Sequence, residues 1–195
     1  RGREHIEYLK NRFQNVTNIE VDLTSVFETF KKIVPDGSDV DKLNLSLANT
    51  RARLRMTTLY YFAGLHSLLV AGTGNKIEDF GVGFYTKYGD GGVDLSPIAD
   101  LMKSEVHLLG SYLKIPESIL KASPTDGLFG DDRTDEDQLG ASYDELEWAM
   151  LENEAGKSSD DFSGREKIVL DIYKRLNTIN QHKMTAIPVC FIPNE

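Results

Sequence analysis

The chain has 195 residues, enough for one domain with a buried core and too few for two large domains. It carries 22 Lys and Arg against 31 Asp and Glu, and the resulting net charge of −9 argues against dedicated nucleic-acid binding, because phosphate backbones repel it. A composition of 40% hydrophobic and 27% charged residues is typical of a globular protein, neither disordered nor fibrous.

Cysteine usage and apolar runs indicate where the protein works. The single cysteine, Cys190, cannot pair within the chain, so we expect a reducing cytoplasm and no thiolate zinc site. Apolar runs such as 68–71 are far shorter than the roughly 20 residues that span a bilayer, so no membrane association is expected. The first residues lack an initiator methionine and an apolar signal core, and we expect sequence to be missing upstream.

Hydrophobic spacing predicts alternating helices and strands in the first half. Apolar residues at helical spacing predict a helix over 3–13, and alternation predicts a strand over 19–23. Thr24 is the expected N-cap of the next helix, and a long helix over 43–65 should end at Gly64.

A buried strand over 67–71 should open into a loop at 72–75. In open α/β sheets, ligands bind at the carboxyl ends of strands, so this loop is the first place expected to carry chemistry. Five glycines between 81 and 92 argue against regular structure. They indicate either a backbone shaped around a ligand or a flexible surface loop.

The second half is predicted to be mainly helical. Ser96 and Pro97 predict a helix start, and a short helix should begin at Pro116. Capping boxes predict helices opening at 142–145 and 163–166. The polar stretches 131–137 and 152–161 are candidate lids, and the tail from 182 onward is predicted to be extended. Two strands are too few for an α/β domain of this length, which suggests a chain cut from a larger sheet.

Three arginines on the long helix are the first candidate ligand-binding group. Arg51 and Arg55 share one helix face, whereas Arg53 points to the opposite side. Guanidinium groups near packed structure often hold a carboxylate or phosphate, but the same spacing also suits a solvated, ion-paired helix face. The spacing alone leaves both interpretations open.

The segment 72–79 combines a hydroxyl, glycines and carboxylates directly after the buried strand. The hydroxyl and backbone donors could bind a nucleotide, and a carboxylate beside them could hold Mg²⁺. The segment is not a Walker A loop, and a Gly-x-Gly pair without its third glycine is a weak dinucleotide signal. Taken alone, the segment does not identify a ligand.

Further candidates follow along the chain. The glycine frame at 86–94 carries a lysine and two carboxylates. Lys103 at a helix start and Thr125 in a proline-flanked turn could donate to phosphate, or could be a solvent lysine and a turn hydroxyl. The pair at 182–183 could equally be a surface dyad.

Read together, these segments resemble the ammonia-dependent NAD synthetases of the adenine nucleotide alpha hydrolase, or N-type ATP pyrophosphatase, superfamily. The resemblance covers nearly the whole chain. Its motifs are Asn-x-x-Ala-Arg-x-Arg-Met at 49–56, Gly-Thr-x-Asn-Lys-x-Glu at 72–78, Thr-Lys-Tyr-Gly-Asp-Gly-Gly-x-Asp at 86–94, Lys-Ser-Glu-Val at 103–106, Pro-Thr at 124–125, the Asp-Glu loop at 135–136 before Leu-Gly, and His-Lys at 182–183.

The resemblance implies an α/β fold with a doubly wound, mostly parallel sheet and helices on both faces, Rossmann-like and of the adenine nucleotide alpha hydrolase type. The chain would be a single NAD synthetase domain over 1–195 that lacks its N-terminal strands. The implied reaction is a two-step amidation: ATP with Mg²⁺ adenylates the nicotinate carboxylate of deamido-NAD and releases pyrophosphate. Ammonia then displaces AMP to give NAD.

The resemblance also assigns roles to individual residues. Glu78 would ligate Mg²⁺, and Asp90 would order or deprotonate ammonium, with Lys103 as the second catalytic residue. The ligand-binding residues would be Thr73, Lys103 and Thr125 for ATP, and Arg53, Lys87, Asp94, His182 and Lys183 for deamido-NAD. A homodimer is expected from the resemblance only.

One departure from the family pattern is large. A Ser-Gly-Gly-x-Asp-Ser loop that wraps the ATP pyrophosphate in the family does not occur in these 195 residues. The chain alone is therefore expected to bind nucleotide weakly and to turn over little. The alternative to the ligase is a non-catalytic dinucleotide-binding or dimerisation fragment of such an enzyme.

Overall fold

A computed structural model describes residues 1–125, 127–129 and 133–193. Its first half contains three helices, α1 (Gly2–Arg12), α2 (Thr24–Ile33) and α3 (Val40–His66). All three were predicted. Asp39 caps α3 by accepting the Lys42 N–H at 3.1 Å, which places the helix start before residue 43.

Two cap positions in the first half differ from the prediction. Helix α3 continues past Gly64 and ends where Ser67 adopts the left-handed conformation at φ 53°. Thr24 is the first residue of α2 rather than its cap, and Asp22 accepts the Thr24 N–H at 2.8 Å.

From residue 77 onward the described chain is mainly helical, including 77–82 and 135–139, where no helix was predicted. Its elements are a π-helix (Ile77–Val82), α4 (Lys103–Tyr112), α5 (Glu117–Leu120), α6 (Asp135–Leu139), α7 (Tyr143–Glu154), a 3-10 turn (Ser159–Asp161) and α8 (Gly164–Met184). The capping box between Ser142 and Glu145 is confirmed in both directions, at 2.9 and 3.3 Å. Ser163 precedes α8 but makes no side-chain cap bond.

Four predictions in this region were wrong, among them the capping box at 163–166, since Ser163 makes no side-chain cap bond. Residues 96–101 form turns, and α4 begins only at Lys103, because the Glu105 carboxylate caps its start by accepting the Met102 N–H at 2.8 Å. The tail is not extended from 182, since α8 continues to Met184 in the absence of any helix breaker before Pro188. The stretch 81–92 is not wholly irregular, because the π-helix includes its first two residues.

The predicted sheet is not seen in the described part of the chain. One isolated parallel bridge joins Ala71 to Leu95, and the Gly72 N–H donates to the Leu95 carbonyl at 2.7 Å. Residues 19–23 form no strand there, and in the predicted strand 67–71 only Ala71 takes part in a bridge. Strand pairing needs a partner from elsewhere in the fold, which alternation alone does not supply. The doubly wound sheet therefore stays a prediction.

The main core lies between α7, α8 and the π-helix. It is built from the buried residues Ile77, Val82, Leu139, Ala141, Tyr143, Leu146, Ala149, Met150, Val169, Leu170 and Tyr173. Because Ile77 and Val82 are fully buried, the π-helix is anchored at both ends. A smaller cluster of Ala48, Ala52 and Leu128 holds α3 against the segment 127–129.

None of the helices in the described ranges is long and apolar enough to cross a membrane.

Candidate functional site

A cavity of about 380 Å³ lies between α3, the loop after the π-helix and the end of α8. Five predicted site residues line it: Arg53, Lys87, Asp90, His182 and Lys183. They come from three segments that are distant in sequence. We call this space the basic cavity.

Side chains bonded to backbone carbonyls fix the walls of the basic cavity. Arg53 donates from both Nε and Nη2 to the Lys87 carbonyl, each at 3.3 Å. Lys87 donates in turn to the His182 carbonyl. The bonds link α3 to the loop and the loop to α8, so the two lysines and the arginine are held around one space.

Lys183 closes the cavity from the α8 side. Its Nζ donates to the carbonyls of Gly83 and Tyr85 at 2.8 Å each, and the Tyr85 hydroxyl donates back to the Lys183 carbonyl. Burial lowers the pKa of the Lys183 ammonium, and the nearby Asp90 opposes this shift. Burial also raises the pKa of Tyr85 to about 12, assisted by Asp79 and Asp90.

Asp90 lies between two cavities. It lines the basic cavity and also a second cavity of about 310 Å³ that contains Thr73. One oxygen of Asp90 accepts the Thr86 N–H at 3.1 Å. Desolvation by the surrounding protein raises the pKa of the Asp90 carboxyl. Asp90 thus has contact with both spaces in which substrates could meet.

The charge of the basic cavity is opposite to that of the protein. Arg53, Lys87 and Lys183 face it, and within the described ranges none of the three forms an ion pair with a carboxylate. In a chain of net charge −9, three such cations around one space favour an anionic ligand.

Glu78 belongs to a separate group of side chains. Its Oε1 accepts from Lys103 Nζ at 2.9 Å and from the Tyr143 hydroxyl at 2.7 Å. The Tyr143 hydroxyl is also 3.2 Å from Asp135 Oδ2. We call Glu78, Lys103, Tyr143 and Asp135 the carboxylate cluster. Burial and the two carboxylates raise the pKa of Tyr143 above its ordinary value, so its hydroxyl keeps its proton.

The donor chemistry of the carboxylate cluster fits Mg²⁺. The Glu78 side chain is only 15% exposed, and its oxygens are hard donors. Mg²⁺ usually binds one or two protein carboxylates and completes its coordination with phosphate oxygens and water. Within the described ranges, no group of three or more His, Cys, Asp or Glu could hold a metal alone. The cluster therefore suits a cation that arrives with a phosphate ligand.

The remaining predicted site residues lie outside the basic cavity. Asp94 accepts the Tyr60 hydroxyl at 3.0 Å and the Val70 N–H at 2.8 Å, so both of its oxygens hold other parts of the chain. Thr125 is exposed, and its hydroxyl accepts the Gly127 N–H at 3.3 Å. In the acidic stretch 131–137, Asp131 and Asp132 lie outside the described residues, whereas the last three residues open α6.

Sequence reasoning missed several residues that build the site. Tyr143 follows the capping box and looks like an ordinary core residue of α7. Asn177 and Asn180 were also missed: together with the predicted Lys183, one helical turn apart on α8, they donate to the successive carbonyls of residues 81, 82 and 83 at 2.8 Å each. Their regular spacing was a signal that could have been noticed, but their partners were not visible in the sequence.

Comparison with protein families identifies the chain's relatives. The family model for NAD synthase matches residues 3–186. The chain belongs to the NAD synthase family. The match includes every segment that lines the basic cavity and the carboxylate cluster.

Curated members of the NAD synthase family align over most of the chain. It is 36% identical over 182 residues to an NH(3)-dependent NAD(+) synthetase of Methanococcoides burtonii, covering 88% of this chain and 65% of the relative. It is 39% identical over 184 residues to an NH(3)-dependent NAD(+) synthetase of Alkaliphilus metalliredigens, covering 93% of this chain and 65% of the relative. The chain thus spans about 65% of the length of these relatives.

Two solved structures resemble this chain in fold. An NMN synthetase from Francisella tularensis aligns at a TM-score of 0.72 and 29% identity, over 93% of this chain and 68% of that one. An NH3-dependent NAD synthetase from Campylobacter jejuni, in complex with the nitrate ion, aligns at a TM-score of 0.63 and 26% identity, over 88% of this chain and 64% of that one.

Proposed function

We propose that the protein is an ATP-dependent ligase that amidates deamido-NAD with ammonia, giving NAD, AMP and pyrophosphate through an adenylated nicotinate. The family membership and the naming of the curated relatives support this activity. The observation that carries it is the basic cavity, in which five motif residues from three segments meet around a space suited to an anion.

The residues of the basic cavity would bind the acid substrate. A dinucleotide carries negative phosphates, and Arg53, Lys87 and Lys183 can offset that charge with charge-assisted hydrogen bonds. His182 would add a further donor at the rim. Asp94 would act on deamido-NAD by holding Tyr60 and Val70 in place, since those groups already occupy its oxygens.

The carboxylate cluster and the second cavity would bind the nucleotide. A carboxylate is a poor acyl electrophile, so it must first become a mixed anhydride, and the charges that meet must be neutralised. Thr73, Lys103 and Thr125 would donate to ATP and its phosphates, and Glu78 would hold Mg²⁺. The ion when bound supplies positive charge at the phosphates. Lys103 must then leave Glu78, its present partner, to reach a phosphate oxygen.

Asp90 would serve the second step. Free ammonia is the nucleophile, so an ammonium ion must lose a proton before it attacks. The carboxylate of Asp90 faces both cavities and can accept that proton beside the adenylated acid. Lys103 would stay on the phosphate side of the reaction.

Further parts of the proposal concern the whole chain. The 195 residues would form one NAD synthetase domain with an adenine nucleotide alpha hydrolase fold, in which the bridge of Ala71 to Leu95 belongs to a doubly wound parallel sheet. The protein would act as a homodimer in the cytoplasm, without nucleic-acid or membrane partners.

A dropout assay tests the activity. AMP and NAD are quantified after incubation with ATP, Mg²⁺, ammonium chloride and deamido-NAD, and then with each component omitted. The ligase predicts that AMP release requires all four components. AMP release that does not depend on deamido-NAD would contradict it, whereas saturable deamido-NAD binding with no AMP would favour a non-catalytic dinucleotide-binding or dimerisation fragment.

A second candidate acid substrate is the mononucleotide form of the same nicotinate acid. The TM-score to the NMN synthetase, 0.72, is higher than that to the NAD synthetase, 0.63. In the same assay, the ratio of kcat/KM for the two acids decides between them. The proposed NAD-forming activity requires the ratio to favour deamido-NAD.

A further inference from the structure

One side chain connects the proposed cation ligand to the acidic helix α6. The Tyr143 hydroxyl lies between two carboxylates, 2.7 Å from Glu78 Oε1 and 3.2 Å from Asp135 Oδ2. Glu78 belongs to the π-helix, whereas Asp135 opens α6. Lys103, the remaining member of the carboxylate cluster, donates to Glu78 and makes no hydrogen bond to Asp135 in the described structure.

A phenol has a single proton to donate. It can form a full hydrogen bond with only one of the two carboxylates at a time. The shorter distance makes Glu78 the better-placed acceptor, and the contact with Asp135 is the weaker one. If the Glu78 carboxylate moves away from the Tyr143 hydroxyl, the hydroxyl proton is therefore free to form a hydrogen bond with Asp135.

The position of Tyr143 is tightly fixed. Only 5% of the residue is exposed, and it packs in the core between α7, α8 and the π-helix. Its backbone N–H donates to Glu136 Oε1 at 2.9 Å, a second link to α6. A ring held in this way cannot follow either carboxylate, so the carboxylates must move toward or away from the hydroxyl.

We propose that Tyr143 is a positioning residue that couples cation binding at Glu78 to the docking of α6. When Glu78 turns its Oε1 to a divalent cation, the Tyr143 hydroxyl donates to Asp135 and draws α6 against α7. The inference rests on the proposed role of Glu78 in holding Mg²⁺ with ATP. It adds a reason for the acidic helix to respond to the nucleotide.

Hydrogen exchange with mass spectrometry tests the coupling. The probe is Mg²⁺ with α,β-methylene-ATP, which cannot transfer its adenylyl group. We compare the wild-type chain, Tyr143→Phe and Tyr112→Phe. Tyr112 is 82% exposed, so its variant is a matched control for loss of a phenol hydroxyl. Nucleotide binding to each variant is measured by calorimetry.

The coupling predicts a specific pattern. In the wild-type and Tyr112→Phe proteins, the probe should slow exchange of the amides in 135–142 about fivefold or more. At probe concentrations that calorimetry shows to saturate each variant, Tyr143→Phe should lose most of that slowing. In turnover, Tyr143→Phe should lower kcat more than it raises the KM for ATP.

Two results would overturn the coupling: equal slowing in Tyr143→Phe and wild type, or no slowing in the wild type. If Tyr143→Phe does not fold, Asp135→Asn replaces it, because a neutral amide is a weaker acceptor than a carboxylate. The same loss of slowing is then expected. The coupling and the proposed function fail separately, since slowing of 135–142 without NAD formation would keep the former and reject the latter.

Discussion

At the scale of single residues, the site is held together mainly by lysine and arginine groups bonded to backbone carbonyls. Arg53, Lys87 and Lys183 each donate to a carbonyl of another segment, and none of them forms a salt bridge with a carboxylate in the described ranges. A carbonyl satisfies a donor without neutralising it, so the positive charge stays available to a ligand.

Removal of the Lys87 ammonium should weaken binding of the acid substrate selectively. Lys87→Ala deletes one charge-assisted hydrogen bond, which is worth about 1.5–3 kcal/mol, so the KM for deamido-NAD should rise about ten- to a hundredfold. The KM for ATP should change less than about threefold. Steady-state kinetics with each substrate varied measures both, and Lys121→Ala, which breaks only a surface pair with Glu117, is the control. Equal effects on both substrates would count against the assignment of Lys87.

At the scale of secondary-structure elements, α8 holds the π-helix and the loop that follows it. Side chains at 177, 180 and 183 bind three successive carbonyls, and Gly83 ends the π-helix at φ +63°. A Cβ atom at Gly83 would lie 2.5 Å from Asn180 Cβ. Position 83 therefore requires glycine, both for its left-handed backbone conformation and for the space beside Asn180.

Alanine substitutions at two glycines should have opposite effects. Gly83→Ala should lower the free energy of unfolding by about 2 kcal/mol or more, from the left-handed backbone and the clash with Asn180. Gly64→Ala should raise it by roughly 0.5–1 kcal/mol, because Gly64 is inside α3 with nothing within 4 Å of the added methyl. Urea unfolding of the two variants measures both. A stabilised Gly83→Ala would contradict the packing described.

The ion pair between α7 and α8 should make stability depend on pH. Arg165 donates to both Glu145 oxygens, at 2.6 and 2.7 Å, and holds the pKa of Glu145 at about 2, below its ordinary 4.5. A depressed carboxyl pKa contributes stability above pH 4.5 and loses it as the pH falls toward 2. Arg165→Ala should therefore lower the melting temperature at pH 7, with the difference from wild type shrinking below pH 4.5. Calorimetry at pH 3, 5 and 7 checks this, and a difference that grows at low pH would be inconsistent with the pair.

At the scale of the whole molecule, local signals predicted most of the helices, but not α6, the π-helix or how the helices assemble. The capping box at 142–145 fixed the start of α7 because both of its bonds are made within four residues. The strands at 19–23 and 67–71 could not be confirmed the same way, because a strand depends on a distant partner. The residues of the basic cavity were found through motif order rather than geometry. Tyr143 was missed because its partners, Glu78 and Asp135, lie 65 and 8 residues away in sequence.

The central claim is that the basic cavity is the binding site for the acid substrate. The most direct measurement is a hydrogen-exchange footprint of the chain with and without saturating deamido-NAD. The account predicts slowed exchange in 83–90 and 180–184, the two segments that meet across the cavity. Protection confined to 21–28, which lines a different cavity, or no protection at all, would contradict it.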